Sequence, residues 1–300
     1  MKIEFIAFDS FGVKSMCTRV ETEDFSIVLD PGVAIETNSF PLPLWKRIYL
    51  VEKYKRKIKK ACKNSDIIII THYHYDHHIP EKSDMYKDKI LLIKDPKNYI
   101  NRSQRGRSQE FLKIIKGLPK EIKIADNQKF IFDKIKIRFT KPLWHGLKGT
   151  KLGYVISCII EDEKEKLFFS SDLDGPYLES YADMIIRENP DTLILDGPPT
   201  YLLGYLVSYK NFARCTLNIY KLVKKLNSKI VLDHHLLRDY RYKDLLKCVY
   251  DLAEKKGKQV KTAAEFLGKK PKVLECYEKY GPTKWKEWEK LSKEKIESFL

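Results

Sequence analysis

The sequence lacks long apolar segments and clustered cysteines. No hydrophobic run approaches the roughly 18 residues that a membrane-spanning helix requires, so we expect no membrane association. Residues 1–8 alternate apolar and polar side chains and lack the apolar core of a signal peptide, so we expect a cytoplasmic protein. The six scattered cysteines form no C-x-x-C pair. This argues against a disulfide framework or a cysteine zinc knuckle and predicts reduced, mostly buried thiols.

Acidic residues are fewer than basic ones. The chain has 57 Lys and Arg residues against 41 Asp and Glu residues, which gives a formal net charge of +16. Such a surplus favours anionic partners, either small molecules or nucleic acid. The Lys-rich and Glu-rich surface of a thermophilic protein would produce the same surplus without such a partner. Charge leaves both interpretations open, and it leaves the oligomeric state undetermined.

Repeats and low-complexity linkers are absent, and strand-like segments interleave with helical ones. Strands are predicted at residues 2–8, 15–21, 26–30, 66–70, 89–93, 129–133, 135–140, 153–160, 167–170, 192–196 and 229–232. Helices are predicted at residues 45–63, 108–116, 180–188, 209–226, 242–256 and 283–299. This interleaving is typical of a layered α/β protein. We predict a main domain of residues 1–268 and a C-terminal helical extension of residues 269–300.

Histidine is scarce, and most of it lies in one place. Of 7 histidines, four fall in the segment THYHYDHH, where His72, His74, Asp76 and His77 form the pattern H-x-H-x-D-H. Residues two apart in an extended segment point the same way, so the first two histidines can bind one ion, while the Asp and His beyond them can face a second. Imidazole and carboxylate suit zinc, and also iron, manganese or cobalt. A loop of surface histidines is the alternative, but the apolar run at residues 67–70 places the pattern at the end of a buried strand.

Five short motifs, in chain order, resemble those of the metallo-β-lactamase superfamily. They are Asp30 in IVLDPG, the block THYHYDHH, His145 in PLWHG, Asp172 in FFSSDLDGP and His234 in IVLDHHLLRD. The match spans residues 26–238, and within the superfamily the chain most resembles a group of archaeal hydrolases. The resemblance implies an α/β fold, a four-layer αβ/βα sandwich with two metal ions in a cleft at its edge.

The resemblance also implies a role for each motif residue. His72, His74 and His145 would hold the first ion; Asp76, His77 and His234 would hold the second. Asp172 would bridge the two ions, and Asp30 would support the ligands from behind. Asp76 and Asp172 are the expected catalytic carboxylates. We expect two zinc ions per chain, with manganese or iron as alternatives. Such a pair deprotonates a bridging water at neutral pH.

Several positions keep more than one interpretation. His235 competes with His234 for the last ligand position, although VLDHHLLRDY resembles a segment of the superfamily's tRNA 3′-processing nucleases in a way that favours His234. Asp174 competes with Asp172. His78 has either a packing role or a contact with substrate. Asp196, at a strand end, either lines the cleft or serves as a turn residue.

Two basic segments are also ambiguous. Arg102, Arg105 and Arg107 lie in a polar segment, which is either a lid that grips phosphate or an exposed loop that leads into a helix at Ser108. The predicted helix at 45–63 carries a row of basic residues on its polar side: Lys53, Lys55, Arg56, Lys57, Lys59, Lys60 and Lys63. That side is either a solvated face or a track for nucleic acid.

The leading functional hypothesis is a dinuclear zinc hydrolase that uses a metal-bridging hydroxide, with a phosphodiester as substrate. A lactone, thioester or other acyl ester is the alternative substrate. The alternative of another class is a non-catalytic nucleic-acid-binding protein with structural metals. The redox branch of the superfamily replaces the second histidine of H-x-H with a carboxylate, so His74 argues against an iron oxidoreductase.

Overall fold

Strands and helices alternate along the chain in the computed structural model, which describes residues 1–300. The strands are β1 (Lys2–Phe8), β2 (Met16–Glu21), β3 (Ser26–Leu29), β4 (Ile67–Ile70), β5 (Ile90–Ile93), β6 (Glu121–Ile124), β7 (Lys129–Phe132), β8 (Ile135–Phe139), β9 (Leu143–Trp144), β10 (Tyr154–Val155), β11 (Cys158–Glu161), β12 (Lys166–Phe169), β13 (Thr192–Asp196), β14 (Lys229–Asp233) and β15 (Val260–Lys261). The α-helices are α1 (Leu44–Lys63), α2 (Arg102–Ile114), α3 (Glu179–Glu188), α4 (Tyr209–Lys225), α5 (Tyr242–Leu245), α6 (Lys247–Lys255), α7 (Ala263–Phe266), α8 (Lys272–Tyr280) and α9 (Lys293–Glu297).

Two mixed sheets form the centre of the fold. The first has the strand order β1-β2-β3-β4-β5-β6, and the second has the order β15-β14-β13-β12-β11-β8-β7. Strands β3 to β6 are parallel, as are β12 to β15. Strand β1 is antiparallel to β2, which is antiparallel to β3, so β1 runs in the same direction as β3. The carboxyl ends of β1, β3 and β4 therefore meet at one edge of the first sheet.

Side-chain alternation along β4 shows how the layers pack. Ile67 and Ile69 belong to the apolar cluster between the two sheets, whereas Ile68 and Ile70 belong to the cluster under α1 and α2. In the second sheet, Phe169 faces the first sheet and Phe168 faces the α3 and α4 side. Each buried side chain of this size contributes about 1.5–3 kcal/mol. The strands are therefore apolar on both faces, and the layers are helix, sheet, sheet, helix, as predicted.

Two predicted elements are interrupted in the structure, and some short strands were not predicted. The strand predicted at 153–160 is two strands, because Ile156 donates its backbone N–H to Thr71 O at 3.3 Å between them. The helix predicted at 242–256 is interrupted at Leu246, whose φ of −101° and ψ of 23° separate α5 from α6. The strand β6 was not predicted. Its side chains lie mostly at the surface, so it lacks the buried apolar run that marks β4.

The C-terminal segment also differs from its prediction. Helix α8 was not predicted, and the helix predicted at 283–299 is wrong except for α9. Gly281, with a φ of 76°, ends α8. Beyond it, Trp285 and Trp288 pack against Tyr240 with ring centroids 5.5 and 5.7 Å away, so side-chain packing replaces helical hydrogen bonds. The segment joins the same apolar cluster as the α3 and α4 helices, through Val273, Cys276, Leu291 and Ile296. The boundary at residue 268 stays a prediction.

Two whole-chain features agree with the sequence. All six cysteines are free and buried. No helix combines the length and apolar composition that crossing a bilayer requires.

Candidate metal centre

Most of the predicted ligands follow the ends of strands at one edge of the two sheets, and His145 follows β9 of a separate two-stranded ribbon, β9–β10. The segment from Thr71 to His78 follows β4, and Asp172 follows β12. His234 directly follows β14, and His145 directly follows β9. The carboxyl ends of parallel strands meet at one edge of a sheet, which explains why residues so far apart in sequence converge.

Asp172 lies at the centre of the site, and its two carboxylate oxygens face different histidines. Asp172 Oδ2 is 3.4 Å from His72 Nε2 and 3.2 Å from His145 Nε2. Asp172 Oδ1 is 2.9 Å from His77 Nε2 and 3.3 Å from His234 Nε2. The carboxylate therefore divides the four imidazoles into two pairs.

The remaining two predicted ligands join these pairs, one on each side. His74 Nδ1 lies 3.1 Å from His72 Nε2, and Asp76 Oδ2 lies 3.9 Å from His234 Nε2. Two groups result, and within each group the ligand atoms lie within 4.8 Å of one another: His72, His74, His145 and Asp172 in the first, and Asp76, His77 and His234 in the second. The structure thus brings all seven predicted ligands together.

Unpartnered buried atoms show that these residues fit metal ions. Both oxygens of Asp172, Nε2 of His77 and Nε2 of His145 are buried without a hydrogen-bond partner. A buried polar atom left unpaired costs about 1–3 kcal/mol, so their convergence calls for cations between them. Imidazole nitrogens and carboxylate oxygens suit zinc, manganese or iron.

Two carboxylates behind the ligands fix the orientation of two imidazole rings. Asp30 Oδ2 lies 2.8 Å from His77 Nδ1, and its other oxygen accepts a hydrogen bond from Thr71 N at 2.8 Å. Asp9 Oδ2 lies 2.7 Å from His234 Nδ1. In both pairs the Nε2 atom is left free to face Asp172 and a metal ion. Asp30 thus occupies the supporting position that the resemblance implies.

Sequence reasoning missed Asp9 and Arg238. Arg238 Nε donates to Asp9 Oδ1 at 2.8 Å, and its Nη2 donates to Asp76 Oδ2 at 3.4 Å. Burial opposes the charge of Asp9, but His234 and Arg238 lower its pKa to about 2. The available signal was a carboxylate directly after β1, the position that Asp30 and Asp172 occupy near the ends of their own strands.

The pKa values of the histidines report the charge of the site. Burial lowers the pKa of His72 to about 4. Burial also opposes protonation of His77, but Asp172 and Asp30 raise its pKa to about 10. In His145, Asp174 and Asp172 likewise overcome burial and raise the pKa to about 10. The carboxylates around His77 and His145 therefore favour positive charge at these two rings, whereas burial dominates at His72.

The geometry separates the competing ligand candidates. His235 Nδ1 lies 3.0 Å from the carboxylate oxygens of Asp196 and 3.2 Å from Asp174 Oδ1. Asp174 Oδ2 is 3.6 Å from His145 Nδ1, on the ring edge that faces away from Asp172. This arrangement favours His234 and Asp172 as the ligands. Asp174, Asp196 and His235 form a buried group beside them, and the Asp196 carboxylate also accepts hydrogen bonds from the backbone N–H groups of Asp174 and His235.

His78 packs inside the protein, and the arginine segment forms the start of helix α2. His78 Nδ1 lies 2.9 Å from His74 O, and its buried ring packs against Tyr73 and Phe111, as the packing interpretation expects. The loop predicted to precede Ser108 is wrong, because α2 already begins at Arg102, where the Asn101 side chain accepts from Gln104 N.

Arg102 and Arg105 are exposed on the first turns of α2. Arg107 lies over the Tyr75 ring at 4.7 Å.

The backbone around the ligands is tight and strained. A Cβ at Gly32 would lie 2.1 Å from His77 N, so only glycine allows the loop after β3 to approach the ligand loop. Asp30, Ser171 and His234 have φ values of 45°, 55° and 65°, in the left-handed region that side chains disfavour. Such strain concentrates at functional sites, where surrounding contacts enforce it.

Comparison with known proteins agrees with the fold. The family model of the metallo-beta-lactamase superfamily matches residues 11–78, which include the H-x-H-x-D-H pattern. A UPF0282 protein from Metallosphaera sedula is 39% identical over 281 residues, covering 92% of this chain and 91% of that protein. The chain belongs to the UPF0282 family. A UPF0282 protein from Methanopyrus kandleri is 36% identical over 290 residues, covering 92% and 97% of the two chains.

The fold of this UPF0282 member is that of the metallo-beta-lactamases. The metallo-beta-lactamase fold protein YhfI from Bacillus subtilis superposes with a TM-score of 0.50 at 15% identity, covering 83% of this chain and 89% of that chain. The superfamily and the ligand set together support a metal-dependent hydrolase.

Proposed function

We propose that this UPF0282 protein is a dinuclear zinc hydrolase that cleaves phosphodiesters in the cytoplasm. The observation that carries the proposal is the division of the ligands by Asp172, whose two oxygens face two separate groups. His72, His74 and His145 would hold one ion, and Asp76, His77 and His234 the other, with Asp172 between them. Two such ions supply a nucleophilic hydroxide at neutral pH and stabilise charge on the attacked group. Manganese or iron would suit the same ligands.

The chain's own residues prepare the site for this chemistry. Asp30 and Asp9 hold His77 and His234 so that their Nε2 atoms stay directed at the centre. Arg238 positions Asp76 through its Nη2 atom and keeps Asp9 ionised. The buried walls exclude bulk water, so these charges act at low local dielectric.

Positive charge beside the second group supports a phosphodiester rather than a neutral ester. Burial, together with the charge of Arg238, lowers the pKa of the Lys14 ammonium group, while Glu36, Asp76 and Asp9 act in the opposite direction. Lys14 makes no ion pair, so its charge remains available to an anionic substrate. The formal net charge of +16 acts in the same direction over longer distances.

A panel of chromogenic substrates tests the proposal. It contains bis-p-nitrophenyl phosphate, a lactone and a thioester, each with and without added Zn²⁺ or Mn²⁺. We expect metal-dependent turnover of the phosphodiester, and its loss in Asp172→Ala and His74→Ala with the fold retained. Turnover of the lactone or thioester alone would make an acyl-ester hydrolase the function. No turnover by the metal-loaded protein would favour a nucleic-acid-binding protein with structural metals.

A further inference from the structure

A groove lies beside the ribbon that carries His145 to the metal centre. Its cavity volume is 870 Å³, which lies within the roughly 300–1,000 Å³ typical of ligand-binding pockets. Trp144 lines this groove. Adjacent residues of an extended strand point to opposite sides. Trp144 therefore faces the groove, and His145 faces Asp172. His145 continues the ribbon, because its backbone N–H donates to Gly153 O.

Aromatic rings form a platform along this groove. Trp144 and Tyr154 stack with centroids 4.2 Å apart and planes 28° apart. Tyr99 meets Tyr154 edge-on at 5.5 Å, and 64% of Tyr99 is exposed. Exposed aromatic platforms beside basic side chains are the feature on which unpaired bases stack in single-stranded nucleic acid complexes.

The platform is held in place from behind. Asn101 Nδ2 donates to both Lys151 O and Leu152 O at 2.8 Å, and Gln104 Nε2 donates to Leu152 O at 2.8 Å. These bonds tie the hairpin between β9 and β10 to the start of α2. A platform fixed in this way loses little conformational entropy when a ligand binds.

Free positive charge surrounds the platform. Lys141, Lys148 and Arg187 line the groove, are exposed, and form no ion pair or side-chain hydrogen bond. Two carboxylates also line the groove. Asp126 is paired with Lys94 at 2.5 Å, and Asp95 accepts hydrogen bonds from Lys97 N and Asn98 Nδ2. The groove therefore offers three unpaired cations next to stacked aromatic rings.

We propose that this groove binds single-stranded nucleic acid, with bases on Trp144 and Tyr99 and phosphates on Lys141, Lys148 and Arg187. A single strand is favoured over a duplex because only unpaired bases present their faces for stacking. The groove adjoins the metal centre in sequence and space only through this ribbon, where Trp144 lines the groove and the next residue, His145, faces Asp172. This assignment rests on the proposed function, because it makes the groove the substrate-binding part of the enzyme.

The test measures binding separately from catalysis. Fluorescence anisotropy of labelled oligouridine and oligothymidine is followed at several salt concentrations with the metal-loaded protein, and electrophoresis checks that the oligonucleotide stays intact. The groove variant is Lys141→Glu/Lys148→Glu/Arg187→Glu. The matched control, Lys53→Glu/Arg56→Glu/Lys60→Glu, makes the same charge change at exposed, unpaired positions of α1. Trp144→Leu removes the stacking surface without a change of charge.

We expect the groove variant to weaken binding by about a hundredfold. The salt dependence should flatten by about three phosphate contacts, one for each cation replaced, and each contact contributes a slope of about 0.7. Trp144→Leu should weaken binding about tenfold, and bound oligonucleotide should quench tryptophan fluorescence only where Trp144 is present. Turnover of bis-p-nitrophenyl phosphate should not change in the α1 control variant, because its three substitutions lie outside both the groove and the metal centre.

Wild-type binding in the groove variant, or an equal loss in the α1 control, would overturn the assignment. Tighter binding of a duplex than of a single strand would do the same. If oligonucleotides bind through the groove but no phosphodiester is hydrolysed, the groove assignment stands and the proposed hydrolase fails.

Discussion

Asp9 Oδ2 lies 2.7 Å from His234 Nδ1, although 225 positions separate the two residues in the chain. Asp9 also accepts from Arg238 Nε through its other oxygen at 2.8 Å. One buried carboxylate therefore connects the end of the first strand with the last predicted metal ligand and with the arginine that contacts Asp76.

This contact predicts that Asp9→Asn weakens metal binding without removing a ligand. Loss of a charged partner behind a ligating imidazole costs about 10–100-fold in metal affinity. We expect one ion to be lost at a lower chelator concentration than in the wild type, while the other is retained. Isothermal titration of the apo-protein with Zn²⁺ would measure this difference. Asp84→Asn, which removes a surface aspartate paired with Lys59, is the control and should bind as the wild type does.

We expect about two transition-metal ions per chain in protein purified without chelator. The physical reason is the set of unpartnered buried atoms on both sides of Asp172. Elemental analysis by plasma mass spectrometry measures the ratio directly. A protein that holds well under one equivalent, even after reconstitution, would contradict the dinuclear assignment.

Alanine substitutions of the two adjacent histidines, His234 and His235, should reduce activity to different extents. His234→Ala removes the imidazole whose Nε2 faces Asp172 Oδ1 at 3.3 Å, and we expect turnover to fall by about a hundredfold or more. His235→Ala removes a ring bonded to Asp196 and should cost much less. Steady-state kinetics with parallel metal analysis would compare them. An inverted ranking would make His235 the ligand.

Gly32→Ala should destabilise the protein. The added Cβ would lie 2.1 Å from His77 N, so the ligand loop must move. We expect a loss of at least about 2 kcal/mol in the free energy of unfolding, together with weaker metal binding. Gly106→Ala is the matched control. Nothing lies within 4 Å of its new Cβ inside α2, so helix propensity should stabilise the protein by about 0.5–1 kcal/mol. Chemical denaturation measures both changes, and an unaltered Gly32→Ala protein would contradict the packing argument.

Glu36 should make stability depend on pH. Its carboxyl is buried with Oε1 unpartnered, and burial, with the nearby Asp9, raises its pKa to about 8. Between the usual pKa near 4.5 and this value, the unfolded chain releases the proton while the folded chain retains it, so the folded state loses stability as pH rises.

Glu36→Gln removes that proton equilibrium. We expect the variant to be more stable than the wild type at pH 8 by a few kcal/mol, with the difference vanishing near pH 4. Urea titrations at both pH values would measure it. A difference that stays constant across this range would show that Glu36 does not carry the pH dependence.

The ligand residues were recognisable from the sequence because they are concentrated in short motifs at the ends of apolar runs. The pattern at His72–His77 follows the apolar run of β4, which predicted a buried strand, and the structure shows that this run alternates between two apolar layers. The segment after Gly281 was predicted poorly, because its conformation depends on the contacts of Trp285 and Trp288 with Tyr240 rather than on helical periodicity.

Other properties of the site were decided only by the tertiary structure. Spacing within one motif cannot show that Asp9 meets His234, because that contact arises where two different sheets meet. Nor can it show which oxygen of Asp172 faces His145 and which faces His77, or that His235 binds Asp196. The sequence by itself determined the kinds of metal-binding atoms and the strand ends that carry them. Their distances, orientation and charge depend on how the two sheets pack, because neither sheet alone contains both halves of the site.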